Sequence, residues 1–260
     1  MHRVPGKRGT GNNLILSLAG KARQLLRLGE LLLFPSRCQL CDSILEDPAE
    51  RIVCKNCADN LPQSRSPRCH RCGRYFYNIG DSHLCASCLG LQPPFSCHRS
   101  AGEYKGSLKD LILLLKYGGF QPVAKILADY ILKMSAAEDC LWRDLDILAA
   151  VPLHPRRRRE RGFNQSLIIA AELARLKKLP LIRNNLRKLR NNTPQTRLDG
   201  RQRRDNVKGA YGLRKPRDIE GKTILIVDDV YTTGATVSEC SSILLKAGAR
   251  DVRVITAAQA

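Results

Sequence analysis

Four Cys-x-x-Cys pairs constrain this chain more than any other feature: Cys38/Cys41, Cys54/Cys57, Cys69/Cys72 and Cys85/Cys88. The last two pairs repeat the first two at a constant offset of 31 residues, and twelve residues separate the pairs within each set. A Cys-x-x-Cys knuckle points both sulfurs to one side, and two knuckles complete a tetrahedral shell around zinc. The constant offset implies that each repeat encloses its own metal rather than sharing ligands with the other. Disulfides and a redox pair are the competing readings. A redox site needs one such motif, and disulfides need an oxidising compartment that the sequence does not suggest. Four sulfurs leave no open coordination position, so both sites read as structural. The segment is short of large apolar residues, so the metal must supply much of its folding free energy, about 10–16 kcal/mol per site. His70 and His83 lie beside the knuckles and are expected outside the ligand shell. Cys97, Cys140 and Cys240 have no partner at metal spacing, and Cys140 and Cys240 are expected to be small buried apolar residues.

At 260 residues the chain has room for one ordinary domain beside this small one. Its longest apolar runs, such as Leu111–Leu115 and Thr223–Val227, fall far short of the roughly 20 residues of a membrane helix. The basic N-terminus holds a short apolar piece, Leu14–Leu18, which is shorter than a secretory core, so the expected compartment is the cytoplasm. The formal charge is +20, and eight thiolates together with two zinc ions bring it to about +16. Between His154 and Arg217 twenty Lys and Arg face four acids, Glu160, Glu172, Asp199 and Asp205. A field of this kind draws polyanions, diphosphates or nucleic acid. A merely solvated face would intersperse both signs.

Residues 12–34 carry leucines at helical spacing and lead into the first knuckle. The organisation reads as a basic leader with this helix over 1–35, a double zinc ribbon over 36–94, and a larger domain over 95–260. Pro93-Pro94 marks the second boundary. An extended piece follows near Phe95–Tyr104, then a leucine-rich helix over Leu108–Lys116 stopped by Gly118-Gly119, and another over Pro122–Met134. Asp146–Val151 and Thr223–Val227 are apolar runs of the central-strand kind. A helix is expected from Asn164 to Lys177 and another from Thr236 to Lys246, and Asp251–Ala257 is a third strand. Arg183–Tyr211 reads as a long loop or hairpin. Strands alternating with helices imply parallel pairing and an α/β sheet.

The stretch Ile226-Val-Asp-Asp-Val-Tyr-Thr-Thr-Gly-Ala-Thr-Val237 reads as a strand that breaks at two carboxylates and turns into a helix. The backbone N–H groups of such a turn and the helix N-terminus carry partial positive charge and point at one place. Gly234 permits close backbone approach, and Thr232, Thr233 and Thr236 add hydroxyl donors. Asp228 and Asp229 supply acceptors for sugar hydroxyls. A ribose 5-phosphate suits this set, at the strand ends where open α/β sheets bind ligands. An ordinary strand–turn–helix with an acidic cap needs one acid, not two acids and three threonines.

These residues resemble the phosphoribosyl-diphosphate motif of type I phosphoribosyltransferases. The resemblance implies that Asp228 and Asp229 hold the ribose 2′ and 3′ hydroxyls. The segment Tyr231–Thr236 would then hold the 5′-phosphate. With the double Cys-x-x-Cys ribbons, Leu115-Lys-Tyr117, Val151-Pro-Leu-His-Pro155, Arg161-Gly-Phe-Asn-Gln165, Thr193-Pro-Gln195 and Arg203-Arg-Asp-Asn-Val-Lys-Gly209, the chain is similar to the ComF family from about Phe34 onward. That likeness implies a type I phosphoribosyltransferase fold behind two zinc ribbons, and a role in DNA uptake during natural transformation. It also places the diphosphate at the Val151–Gly162 turn, beside Arg156–Arg159, Arg161 and Gly162, whose arginine forks suit phosphate oxygens. The Arg187–Asn206 segment takes the place of a flexible catalytic loop, with Lys188, Arg190 and Arg197 as the cations that meet the leaving group.

The expected ligand-binding set is therefore Asp228, Asp229, Val230, Tyr231, Thr232, Thr233, Gly234, Ala235, Thr236, Arg161 and Gly162, with magnesium accompanying the diphosphate. His154 reads equally as a general base or as a structural residue fixed between prolines. Lys116 ends a helix, where charge balance explains it as well as ligand contact does. Two functions stay open. One is an enzyme that transfers phosphoribose to a nitrogen acceptor, for which no acceptor pocket is recognisable in the sequence. The other is a binding protein whose ribbons and arginines engage single-stranded DNA and proteins of the uptake machinery. Aromatic residues make up only 5% of the chain, so phosphate contacts would dominate over base stacking.

Overall fold

The computed structural model describes residues 36–45, 52–77, 80–190 and 205–260. The helix expected over 12–34 lies outside the described residues, as does Arg197. The chain separates into two compact units, Met1–Cys57 and Ala58–Ala260.

The repeat seen in the cysteines is a repeat of backbone geometry. In the first ribbon a bridge joins Arg37 to Ile44, and in the second the residues 31 positions on, Arg68 and Tyr75, form the same bridge. Between the bridge residues the knuckle turns through a left-handed residue, Asp42 at φ 61° in one and Gly73 at φ 66° in the other. Short helices begin within the second knuckles and carry their second cysteines, α1 over Lys55–Asp59 and α2 over Ala86–Leu91.

The larger unit is built on a five-stranded sheet. Its strands are β1 (Cys97–Glu103), β2 (Ile147–Ala150), β3 (Leu181–Ile182), β6 (Thr223–Tyr231) and β7 (Asp251–Gln259), in the order β1-β7-β6-β2-β3. Every pairing is parallel. Strands β4 (Leu186–Lys188) and β5 (Tyr211–Leu213) pair antiparallel as a separate hairpin, so the hairpin form of the Arg183–Tyr211 segment holds. Ile224, Leu225, Ile226 and Val227 in β6 are all fully buried, because a central parallel strand is covered on both faces.

The sequence reading ends β6 at the acidic pair, and the structure carries it through. Asp228 pairs with Thr256, Val230 with Ala258 and Tyr231 with Gln259. Hydrogen bonding to β7 keeps the backbone extended where side-chain chemistry alone suggested a break. Both carboxylates therefore project from a rigid strand.

Helices connect the strands: α3 (Gly106–Tyr117), α4 (Val123–Ser135), α5 (Asp139–Trp142), α6 (Pro155–Arg161), α7 (Gln165–Lys177) and α8 (Ala235–Lys246). Helix α3 buries Leu108, Leu111, Ile112 and Leu115, the i, i+3, i+4, i+7 stripe of a half-covered helix. The side chain of Asn164 caps α7 by accepting from the Ser166 N–H at 3.1 Å. Where the sequence reading has a turn around the arginine run, the structure has α6, with Pro155 in its first turn and Gly162 as a left-handed C-cap at φ 79°. Pro155 fixes the entry to this helix and Gly162 its exit.

One buried cluster brings together the second ribbon's four cysteines, Phe95, Ile224 and Ile226 of β6, Val252 and Val254 of β7, and Val237, Cys240 and Leu244 of α8. The second ribbon is thus part of the hydrophobic core of the sheet face that carries α8. Cys240 is fully buried, as expected. Cys140 departs from expectation: it is half-buried. A hydrogen bond with Cys97 lowers its thiol to about 7.

Candidate functional site: two zinc sites and a cavity at the sheet's carboxyl end

In each ribbon the four cysteine sulfurs lie within 4.8 Å of one another. The Sγ–Sγ separations Cys41–Cys54 and Cys72–Cys85 are both 3.7 Å. The edge of a tetrahedron with Zn–S bonds of about 2.3 Å is about 3.8 Å, so the sets fit zinc without rearrangement. Backbone N–H groups point at the same sulfur in both repeats: Cys54 donates to Cys38 at 3.4 Å and Cys85 donates to Cys69 at 3.4 Å. Burial opposes ionisation of Cys69, yet the N–H donors of Cys85 and Cys72 hold its thiol down at about 6. Burial pushes Cys72 up to about 12, and the charge of Cys69 adds to it. Four sulfurs so close need a divalent cation before all can ionise. Cys38, Cys41, Cys54 and Cys57 form one such zinc site, and Cys69, Cys72, Cys85 and Cys88 the other.

The carboxyl ends of the sheet open into a cavity of about 490 Å³. Asp228 and Asp229 line it from β6. Oδ1 of Asp228 accepts a hydrogen bond from the Ser166 hydroxyl at 2.7 Å and from the Asp229 N–H at 3.0 Å. Burial pushes the Asp228 carboxyl up to about 7, the Asp229 charge adds to that, and the Ser166 bond works against it. The Nζ of Lys116, from the last turn of α3, lies 2.8 Å from Oδ2 of Asp229. Burial disfavours the lysine's charge, but the two aspartates outweigh it and leave its pKa raised. The acidic pair thus holds one ion-paired carboxylate and one that titrates near neutrality.

The turn after β6 is shaped by its glycine. Gly234 adopts φ 75° and occupies the N-cap position of α8, where it offers no side-chain oxygen to the first turn. A Cβ at this position would lie 2.2 Å from the Tyr231 hydroxyl, so only glycine fits. Thr232, Gly234, Ala235 and Thr236 line the cavity, and so do Val230 and Tyr231. Thr233 is not among the lining residues and is half-buried beside them.

Helix α6 divides the arginine run by its period. Arg157 and Arg161, four residues apart, line the cavity, while Arg156, Arg158 and Arg159 are exposed on the outside. The guanidinium of Arg161 lies 5.0 Å from the Tyr117 ring centroid and donates to Gln165 Oε1 at 3.2 Å. Gly162 does not line the cavity and serves as the helix cap. Nor does His154 line it; its Nδ1 accepts from the Arg156 N–H at 3.2 Å as the N-cap of α6, which is the structural role. Lys188 reaches the cavity from the hairpin, 5.3 Å from the Tyr211 ring centroid. Its pKa is lowered by burial first and by Arg157 second. Arg190 is exposed and does not line the cavity.

Comparison with known proteins gives two family matches: a double zinc ribbon domain over residues 31–89 and a phosphoribosyl transferase domain over residues 162–260. The DNA utilization protein YhgH of Salmonella typhimurium is 32% identical over 226 residues, which are 86% of this chain and 97% of that protein. The chain belongs to the ComF family. Competence protein F of Haemophilus influenzae is 27% identical over 85% of the chain and 96% of its own length. Competence protein ComFC of Streptococcus pneumoniae is 26% identical over 84% of the chain and 86% of its own length.

This ComF chain has the type I phosphoribosyltransferase fold with two zinc ribbons in front of it. Several of its cavity residues lie outside the ligand-binding set expected from the sequence. Tyr104, just after β1, Leu113 and Tyr117 of α3, Gln165 of α7 and Tyr211 of β5 also line the cavity. Lys116 did carry a signal: it falls four residues after Ile112, on the buried stripe of α3, where a lysine needs a buried partner. Ser166 carried none, because its partner Asp228 is 62 residues away. Among the described residues of this ComF chain, no helix is long and apolar enough to cross a membrane.

Proposed function

We propose that the chain binds phosphoribosyl diphosphate in the cavity between the acidic pair and the N-terminus of α8, and that it acts in DNA uptake, as a competence protein. One arrangement carries this reading: paired carboxylates on a strand end stand beside a glycine-capped helix start, with Arg157, Arg161 and Lys188 lining the same cavity. Carboxylates suit sugar hydroxyls, and a helix start suits a phosphate. In this reading Asp228 and Asp229 accept from the ribose 2′ and 3′ hydroxyls. The backbone from Tyr231 to Thr236, with the threonine hydroxyls, takes the 5′-phosphate. Arg157 and Arg161 offset the diphosphate, and Lys188, which lines the same cavity, meets its leaving oxygens.

The acidic pair offers hard oxygens of the kind magnesium takes, but Lys116 and Ser166 already engage them. The ion therefore fits best when carried by the diphosphate's own oxygens. When bound, it supplies neutralisation of the charge on the departing diphosphate.

A second reading, transfer of phosphoribose to a nitrogen acceptor, is favoured by the cavity wall at Tyr104, Leu113 and Tyr117. Aromatic and apolar side chains of this kind suit the face of a planar acceptor. The exposed arginines of α6 support contact with single-stranded DNA, and the ribbons offer surfaces for proteins of the uptake machinery. Thiolate ligands favour a reducing compartment, the cytoplasm. The working division is a leader over 1–35, ribbons over 36–94 and the ligand-binding domain over 95–260.

Isothermal calorimetry with phosphoribosyl diphosphate and magnesium tests the reading, followed by an assay for released diphosphate with candidate acceptors. Saturable binding that Asp229→Ala abolishes, at unchanged zinc content and circular dichroism, supports it. Unchanged affinity in that variant rejects the site.

A further inference from the structure

The turn between two zinc ligands is hydrogen-bonded, carbonyl by carbonyl, to the first strand of the sheet. Arg99 Nη1 donates to the His70 carbonyl at 3.0 Å, the His98 N–H to the Arg71 carbonyl at 2.6 Å, and His98 Nδ1 to the Cys72 carbonyl at 2.7 Å. Zinc fixes this turn from one side, through Cys69 and Cys72, and β1 fixes it from the other. The fit is flush, since a Cβ on Gly73 would lie 2.8 Å from the His98 carbonyl oxygen.

His98 then reaches the ligand loop. Its ring stacks on Tyr231, with centroids 4.0 Å apart and planes 15° from parallel. Both side chains are buried, and Phe95 packs edge-on against each of them. A carbonyl only accepts, so the ring proton sits on Nδ1, and Nε2 lies 3.0 Å from the Thr256 hydroxyl, whose proton it shares with the Ala258 carbonyl. Thr256 is the ladder partner of Asp228, and the Tyr231 hydroxyl lies against Gly234, the residue that opens α8. One imidazole therefore touches the zinc knuckle, the strand partner of the acidic pair, and the tyrosine beneath the phosphate turn. A histidine satisfied within its own sheet would touch only the second of these.

We infer that the second zinc ribbon is part of the ligand site, with His98 as the positioning residue that links them. Zinc at Cys69, Cys72, Cys85 and Cys88 fixes Tyr231 and the turn to Thr236, and a ligand in that turn stabilises the zinc in return. The inference rests on the phosphoribosyl-diphosphate reading above. Linkage requires the coupling to be reciprocal, which gives it a readout that a purely structural histidine would not move.

The experiment uses the full-length, zinc-loaded protein and follows transfer of both zinc ions to a chromophoric chelator, with and without phosphoribosyl diphosphate and magnesium. With ligand, the release of one of the two ions slows by about tenfold. His98→Phe keeps a ring against Tyr231 and loses the link to Cys72. His98→Asn keeps a donor for that carbonyl and loses the ring. Each variant, folded and holding two zinc ions, loses the protection and binds the ligand about tenfold more weakly. The wild-type release rates need no variant and are decisive alone. Calorimetric binding with both release rates unchanged by the ligand overturns the inference and leaves the ligand reading standing. Failure of wild type to bind the diphosphate at all sinks both.

Discussion

The Lys116 ammonium stands 2.8 Å from the Asp229 carboxylate, and their side chains are only 16% and 7% exposed. Each ion is out of water and depends on the other. Lys116→Met strands a buried carboxylate and is expected to destabilise the protein by about 2–4 kcal/mol in chemical denaturation. Adding Asp229→Asn to that variant is expected to restore part of the loss, because the uncompensated charge is gone. A double variant no more stable than Lys116→Met would show that the pair is not coupled.

Asp228 gives the site a pH dependence of definite sign. Its folded pKa, about 7, lies above the ordinary 3.8, so the folded chain holds this proton more tightly than the unfolded chain. This group's contribution to stability therefore falls as pH rises from about 4 to about 7 and is level above that. Accepting from a ribose hydroxyl requires the ionised form, so ligand affinity is expected to rise by up to tenfold per unit below about pH 7 and then to plateau. In calorimetry across this range, Asp228→Asn should bind weakly and without the slope.

Gly234→Ala tests the turn. The left-handed backbone alone costs about 1–2 kcal/mol for alanine, and the new Cβ would meet the Tyr231 hydroxyl at 2.2 Å. The expected result is a lower melting temperature and at least a tenfold loss of phosphoribosyl-diphosphate affinity. Wild-type affinity in this variant would show that the turn does not hold the ligand.

The two ribbons carry separate ligand sets, so replacing Cys54 and Cys57 with Ser should remove one zinc of two. Metal analysis that finds both ions still bound would reject the assignment of Cys38, Cys41, Cys54 and Cys57 to a single site.

The outward arginines of α6 are expected to act on nucleic acid through charge alone. Single-stranded DNA affinity should fall by roughly a hundredfold or more between about 50 and 200 mM salt. Changing Arg156, Arg158 and Arg159 together to Ala should flatten that dependence. An affinity indifferent to salt in the unaltered protein would dismiss this surface as the DNA contact.

Much of this protein is local in origin, and so it was legible. Cysteine spacing defines the ribbons, because a knuckle turn and a sulfur tetrahedron have fixed dimensions that the 31-residue repeat meets twice. Apolar runs mark β2, β6 and β7, because parallel strands are covered on both faces. The two acids and the threonine-glycine turn mark the end of the sheet at which the cavity opens. Tertiary structure decided which distant groups complete these local pieces. It set Ser166 on Asp228 across 62 residues and Lys116 on Asp229, turned an arginine run into a helix with two residues facing in, and laid His98 between Cys72 and Tyr231. Side-chain periodicity says which face of an element is buried. Which partner meets that face depends on strand order and on the packing of helices against the sheet, and those are set only when the whole core closes.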